Sequence, residues 1–127
     1  MHIEHIAMNV RDLEGMRAFY MQAFGATSND LYHNPRTGLR TYFLSFDSGV
    51  RLELMERPVK IARDKSVNAE GYLHLAFSLG SHEAVDSKTQ ELVAMGCVLL
   101  DGPRTTGDGY YESSLSDPEG NLLEVVA

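Results

Sequence analysis

The stretch IEHIAMNV at residues 3–10 is followed, much later in the chain, by YLHLAFSL at residues 72–79, and the two share one pattern. Each reads as an apolar strand with a histidine in its third position, His5 in the first and His74 in the second. Because side chains alternate across a strand, His5 shares a face with Asn9, while the larger apolar residues point the other way. The pattern indicates an internal duplication of the chain.

The order of elements after each of these strands is also the same. Asp12 and Ser81 are predicted helix N-caps, and Gly25 and Gly96 are predicted to end the two helices that follow. Three short strands separated by turn residues come after each helix, which gives a βαβββ unit twice. The predicted strands cover residues 27–33, 39–46 and 50–57 in the first unit and residues 97–103, 110–116 and 121–126 in the second.

The segment VKIARDKSVNAE at residues 59–70 is polar and has no clear periodicity, so we predict a connecting loop there. The sequence therefore predicts an α+β fold made of two βαβββ repeats, residues 1–58 and 71–127. The length of 127 residues suits a single domain with its own core, and we expect residues 1–127 to form one.

Two glutamates occupy matching positions late in the repeats. Glu53 and Glu124 each lie four residues after a turn glycine and are 71 residues apart, while the two histidines are 69 residues apart. Apolar residues flank each glutamate and take the opposite face of the strand, so each carboxylate points away from the core. If a pseudo-twofold operation pairs the repeats, His5, Glu53, His74 and Glu124 converge on one point.

Two imidazoles and two carboxylates suit one divalent metal ion per site, with positions left open for water or substrate. Nickel, cobalt and zinc are the first candidates, and manganese and iron are the next. Taken singly, a histidine in an apolar strand is more often a hydrogen-bonded core residue than a ligand, and a glutamate there is often merely on the exposed side of a sheet. Their occurrence as matched pairs at duplicated positions favours the metal site.

The composition argues against several classes of partner and location. The formal net charge of −7 at pH 7 predicts no basic surface for a nucleic acid. No apolar run approaches the ~20 residues that span a bilayer. The amino-terminal residues carry none of the features of an export signal, so we expect a cytoplasmic protein with no membrane contact. The single cysteine, Cys97, has no disulfide partner within the chain, and we predict a buried strand residue there.

Together these residues resemble the vicinal oxygen chelate superfamily, and within it glyoxalase I and its bacterial relatives. The likeness extends over essentially the whole chain. It rests on four motifs: His5 in the first strand, Glu53 in RLEL at 51–54, His74 in HLAF at 74–77, and Glu124 at the end of DPEGNLLE at 117–124. The turn in the last motif is common across the superfamily, whereas the complete set of two histidines and two glutamates favours the isomerase.

The resemblance implies curved mixed sheets around a metal cavity and a reaction like that of lactoylglutathione lyase. In that reaction a proton is transferred through a metal-bound enediolate, and the substrate is the hemithioacetal of methylglyoxal and a thiol. A glutamate carries the proton, with Glu124 favoured as the catalytic base and Glu53 as the alternative. The resemblance also implies a homodimer in which each metal site takes ligands from both chains.

Four positions concern recognition of the substrate. Members that use glutathione typically carry an arginine where this chain has Asn9 and an asparagine near Arg57, so both are candidate substrate-binding residues and the thiol stays open. Tyr111 is a candidate pocket wall, although an aromatic residue in a strand serves more often in packing. Arg51 shares the face of Glu53, as either an anchor for an anionic substrate or a partly solvated strand residue.

Two other functions remain open. The first is a fosfomycin-type thiol transferase, since relatives that modify fosfomycin resemble a pattern with three metal ligands. If the chain has this function, replacing Glu53 should leave the metal affinity largely retained. An antibiotic-sequestering protein binds a small molecule in an aromatic groove without a metal, and the absence of tryptophan counts against it.

Overall fold

A computed structural model of the protein describes residues 1–127, which form two compact units, Met1–Ala62 and Arg63–Ala127. The boundary falls inside the predicted connecting loop, where the structure has neither helix nor strand. Each unit has one helix and one mixed sheet, which gives the α+β class that the sequence predicts. No helix is both long enough and apolar enough to cross a bilayer.

The first unit has a sheet with strand order β1-β5-β4-β2, and β3 also pairs with β4. Strands β1 and β5 run parallel, and the remaining pairs are antiparallel. The elements are β1 (His5–Asn9), α1 (Leu13–Phe24), β2 (Thr27–Ser28), β3 (Tyr32–His33), β4 (Arg40–Ser45) and β5 (Arg51–Glu56).

The second unit repeats this arrangement with strand order β6-β9-β8-β7. Strands β6 and β9 run parallel, as β1 and β5 do in the first unit. The elements are β6 (His74–Ser78), α2 (His82–Ala94), β7 (Val98–Thr105), β8 (Tyr111–Ser116) and β9 (Leu122–Val126).

The helices begin where the sequence predicts. The side chain of Asp12 accepts a hydrogen bond from the Gly15 N–H (3.0 Å), and the Ser81 hydroxyl accepts one from the Ala84 N–H (3.2 Å). Each cap satisfies a backbone donor that has no partner within the helix. Gly25 ends α1 in the left-handed conformation, with φ at 66°.

Each helix covers one face of its sheet. In the first unit, α1 packs on β4 and β5 through buried apolar side chains, among them Leu13, Met16, Tyr20, Leu44, Leu52 and Leu54. In the second unit, α2 packs on β7, β8 and β9, with Val85, Leu92, Leu115, Leu123 and Val125 buried. The positions between Leu52 and Leu54 and between Leu123 and Val125 face away from the helix, and they carry the two predicted glutamates.

The segment predicted as one strand at 27–33 is two short strands, β2 and β3. The interruption comes from Asn29, whose side-chain oxygen accepts a hydrogen bond from the Phe43 N–H (2.8 Å) while its own N–H donates to the Phe43 carbonyl (3.2 Å). A side chain therefore takes the place of a backbone acceptor in the ladder.

The strand predicted at 97–103 begins one residue later and extends to Thr105, as β7. Its pairing with β8 shifts register between Leu99 and Asp101 and again between Asp101 and Arg104, which carries the strand past the predicted end. Cys97 is buried as predicted but precedes the strand.

Asp117 holds the turn between β8 and β9. It is 3% exposed, and its carboxylate accepts hydrogen bonds from the N–H of Glu119 (2.9 Å) and from the N–H (2.8 Å) and side-chain amide (2.7 Å) of Asn121. Because Asp117→Ala leaves these donors without their acceptor, we expect it to lower the free energy of unfolding by about 1–3 kcal/mol. Denaturant unfolding measures the loss.

The matched control for this prediction is Asp47→Ala in the turn between β4 and β5. Asp47 is exposed, so its replacement should change the free energy of unfolding by less than about 0.5 kcal/mol. Equal losses in the two variants would contradict the role given to Asp117.

Candidate functional site

In the first unit, His5 and Glu53 lie side by side on the sheet face that α1 does not cover. Strands β1 and β5 are adjacent and parallel, with Ala7 opposite Glu53 in the register. His5 is two residues before Ala7, so its ring lies on the same face as the carboxylate. The distance from His5 Nε2 to Glu53 Oε2 is 3.8 Å.

The second unit places His74 and Glu124 in the same way. Strands β6 and β9 are adjacent and parallel, with Ala76 opposite Glu124, so the histidine again precedes the partner of the glutamate by two residues. The distance from His74 Nε2 to Glu124 Oε2 is 3.1 Å. The structure thus brings together each histidine and the glutamate of its own unit, in one and the same register.

The spacing of the donor atoms in each pair can be compared with that of two ligands of one cation. Two ligands about 2.1 Å from one ion and at right angles to each other are about 3 Å apart. The 3.1 Å between His74 and Glu124 matches this separation, and the 3.8 Å between His5 and Glu53 is wider. Neither unit assembles three or more His, Cys, Asp or Glu side chains in a group that could hold a metal ion. Each unit therefore supplies one pair of donors.

The two pairs have different neighbours. In the first unit Phe43 is directly opposite Glu53 on β4, and its ring also contacts His5 edge-to-face, with the centroids 5.4 Å apart. In the second unit the residue opposite Glu124 on β8 is the small Ser114. Cross-strand neighbours on one face are in side-chain contact. Glu124 therefore has a small side chain opposite it, whereas Glu53 has an aromatic ring opposite it.

Glu112 is a neighbour of Glu124 that the sequence analysis did not single out. It lies two residues before Ser114 on β8 and is opposite Val126, on the face that carries Glu124. Burial raises the pKa of the Glu112 carboxyl, and the negative charge of Glu124 adds to this effect, while the Arg104 guanidinium lowers it. Strand alternation along β8 predicts that Glu112 and Ser114 share a face. The sequence alone does not predict that β8 lies beside β9, and this pairing is what makes Glu112 a neighbour of Glu124.

The predicted substrate-binding residues lie in three different environments. Asn9 is exposed at the end of β1 on the face of His5, opposite Met55. Arg57 is exposed and follows the end of β5. Arg51 is opposite His5, and its guanidinium lies 4.3 Å above the centre of the Phe43 ring.

Tyr111 lies on the opposite face of its sheet from His74 and Glu124. Its hydroxyl donates a hydrogen bond to Asp86 of α2 (2.7 Å), and its ring stacks on His82 with the centroids 4.0 Å apart. The hydrogen bond to Asp86 raises the pKa of the Tyr111 hydroxyl. Within the second unit, the structure therefore does not bring Tyr111 to the face of the histidine and glutamate.

Cys97 offers no nucleophile at neutral pH. Burial, together with the negative charge of Asp117, raises the pKa of its thiol to about 11. The protonated thiol is a poor nucleophile, since the thiolate is the reactive form.

Comparison with known proteins gives both a family and a fold. A family model described as Glyoxalase/Bleomycin resistance protein/Dioxygenase superfamily matches residues 2–125. Among curated proteins, the chain is similar to the uncharacterized protein PA2024 of Pseudomonas aeruginosa. The two are 26% identical over 125 residues, which cover 96% of this chain and 85% of the relative.

Two solved structures are informative about the fold. One is FosX, a genomically encoded fosfomycin resistance protein of Listeria monocytogenes, with a TM-score of 0.80, 21% identity and coverage of 99% of this chain and 92% of that chain. A second FosX structure is a complex with Mn(II) and a dihydroxypropylphosphonic acid. The other is a glyoxalase I mutant from Zea mays, with a TM-score of 0.80, 20% identity and coverage of 98% of this chain and 43% of that chain. At these identities the likeness establishes a shared fold.

Proposed function

This chain belongs to the Glyoxalase/Bleomycin resistance protein/Dioxygenase superfamily, and from that premise we propose that it is a metal-dependent enzyme like glyoxalase I. The observation that supports the proposal is the duplicated register, which gives each unit one histidine and one glutamate as adjacent donors. Packing alone gives no reason for the same two polar residues to recur at equivalent strand positions.

The proposed site binds one divalent cation through His5, Glu53, His74 and Glu124. Imidazole nitrogen and carboxylate oxygen suit nickel, cobalt, zinc, manganese and iron. Such a cation, when bound, draws electron density from two adjacent oxygens of the substrate and so stabilises negative charge on them. Each unit holds two of the four donors, and the proposal includes a homodimer in which each metal site takes ligands from both chains.

Glu124 is the proposed catalytic base. Its carboxylate oxygen takes the proton from a carbon of the substrate and returns it to the neighbouring carbon, so that it ends the cycle as it began. The choice of Glu124 over Glu53 is supported by the small Ser114 opposite Glu124, since the residue opposite Glu53 is the bulky Phe43. Glu53 therefore remains a ligand and is the alternative base.

The proposed substrate is the hemithioacetal of methylglyoxal and a thiol, with a lactate thioester as product. Asn9 and Arg57 are the proposed contacts to the thiol part, because both are exposed in the first unit and Asn9 lies on the face of His5. Tyr111 is left out of the proposed site because it packs against α2.

Metal analysis and a thiol-resolved assay test the proposal. We expect purified protein reconstituted with nickel, cobalt or zinc to hold about one ion per chain and to isomerise the hemithioacetal of methylglyoxal with at least one of several thiols. Metal content is measured by mass spectrometry and turnover by absorbance of the thioester. Bound metal without turnover on any thiol would refute the glyoxalase activity, and protein that binds no metal would refute the site.

A fosfomycin-type thiol transferase is the second candidate. The wider separation of His5 and Glu53 favours a site with three ligands, and FosX, which shares the fold, is known in complex with Mn(II). This candidate predicts turnover of fosfomycin and a thiol, and a metal affinity that is largely independent of Glu53. A protein that sequesters an antibiotic would bind its ligand without metal.

A further inference from the structure

The two proposed histidine ligands differ in what surrounds them. The residue before His5 is Glu4, and the residue opposite His5 on β5 is Arg51. The equivalent positions around His74 are occupied by Leu73 and Leu122. The duplication therefore preserved the donors but not their immediate charged neighbours.

Glu4 connects His5 to Arg51. One oxygen of its carboxylate accepts a hydrogen bond from His5 Nδ1, and the other accepts one from Arg51 Nη2. The backbone adds a third connection, since the Arg51 N–H donates to the Glu4 carbonyl (3.1 Å). The donors on His5 and Arg51 therefore share one side-chain carboxylate, a group that accepts hydrogen bonds through both of its oxygens.

Phe43 supports the same arrangement from β4. Its ring contacts His5 edge-to-face, with an angle of 88° between the planes, and the Arg51 guanidinium lies over it. His5 and Arg51, the two residues that are hydrogen-bonded to Glu4, therefore both pack on the Phe43 ring. This packing limits the rotation of both side chains.

The two nitrogens of the His5 ring face different carboxylates. Nδ1 is bonded to Glu4, and Nε2 lies 3.8 Å from Glu53 Oε2. A neutral imidazole has one N–H and one lone pair, and the hydrogen bond that one nitrogen makes sets the role of the other. With the proton on Nδ1, the lone pair of Nε2 is directed toward the side on which Glu53 lies.

We propose that Glu4 is a positioning residue that fixes His5 as the Nδ1–H tautomer and so presents Nε2 as the metal donor. The inference rests on the proposed metal site. Carboxylates that orient a metal-binding histidine in this way typically change metal affinity by about 10–100-fold when removed. Because Glu4 and His5 are both partly exposed to water, we expect an effect at the low end of that range, about tenfold.

Two measurements on Glu4→Ala test this role. In the metal-free protein at about pH 8, where imidazole is neutral, long-range ¹H–¹⁵N correlation spectra identify the tautomer of each histidine. We expect Nδ1–H for His5 in the wild-type protein and loss of that tautomer in Glu4→Ala. Competition with a chromophoric chelator for zinc should show affinity about tenfold weaker in Glu4→Ala.

Two further variants distinguish positioning from a general loss of structure. Glu4→Gln keeps a side-chain oxygen that can accept from Nδ1, so it should retain the tautomer and recover most of the affinity. Leu73→Ala changes the matching residue before His74 and should alter neither measurement.

The outcomes separate this inference from the proposed function. If wild-type protein binds zinc and Glu4→Ala keeps either its affinity or the Nδ1–H tautomer, the role of Glu4 is overturned while the metal site stands. If wild-type protein binds none of the cations, the proposed site fails, and the positioning role fails with it.

Discussion

Glu124→Gln is expected to lower turnover by about a hundredfold to ten-thousandfold, the usual contribution of a positioned general base. Glutamine has nearly the shape of glutamate, and its oxygen can still accept a hydrogen bond, but it cannot take up the proton from a carbon atom. The folded structure should be retained, because the carboxylate faces away from α2 and the buried core. The measurement is kcat with the metal and thiol that give the highest wild-type activity, together with circular dichroism.

Two matched variants show whether the loss is specific to Glu124. Glu53→Gln removes the equivalent carboxylate of the first unit, and we expect it to weaken metal binding more than it slows turnover at saturating metal. Glu112→Gln changes a carboxylate on the same face that is not a proposed ligand, and it should leave kcat within a few fold. Full activity in Glu124→Gln, or a larger fall of kcat in Glu53→Gln, would transfer the role of base to Glu53.

Mixing two inactive variants is expected to restore about a quarter of the wild-type metal sites if the sites are shared between chains. His5→Ala damages the pair of the first unit, and His74→Ala damages the pair of the second. When the two chains combine at random, about half of the dimers are mixed, and in each of these one site has both intact pairs while the other has neither. Each variant alone should bind metal weakly and turn over slowly.

The experiment unfolds equal amounts of the two variants together, refolds them, and measures tight metal binding and activity. The control refolds each variant alone, and sedimentation establishes the oligomeric state. If each site is built from a single chain, the mixture should be no more active than its components. That result, or a strictly monomeric protein with full metal binding, would refute the shared sites and leave the four ligands in place.

Local sequence is enough to predict the duplicated fold and the sheet face on which each of the four donor side chains lies. Strand alternation determines the face of Glu53 and Glu124 as soon as their strands are recognised, and short-range hydrogen bonds at Asp12 and Ser81 determine where the helices begin. Such features depend on residues close together in the chain, so the sequence was sufficient to predict them.

The features that were missed depend on contacts between distant residues. Asn29 interrupts a strand only because it bonds to Phe43, and Glu112 becomes a neighbour of Glu124 only because β8 lies beside β9. Simple alternation would place Glu4 on the face opposite His5. Glu4, however, precedes β1, and its side chain is free to turn toward the histidine. Whether the four donors share one ion is a question about two units, which the pattern of a single strand does not address.

The common register of the two parallel strand pairs also determines where this chain tolerates changes of length. Removing one residue between Gly120 and Glu124 would shift β9 by one position, which turns the glutamate under α2 and exposes Leu123. Loss of two residues would return the glutamate to its original face of the sheet, but it would move the carboxylate along the strand, away from His74. Insertions and deletions are therefore expected to accumulate in residues 58–73 and 106–110, outside the strands that carry the donors.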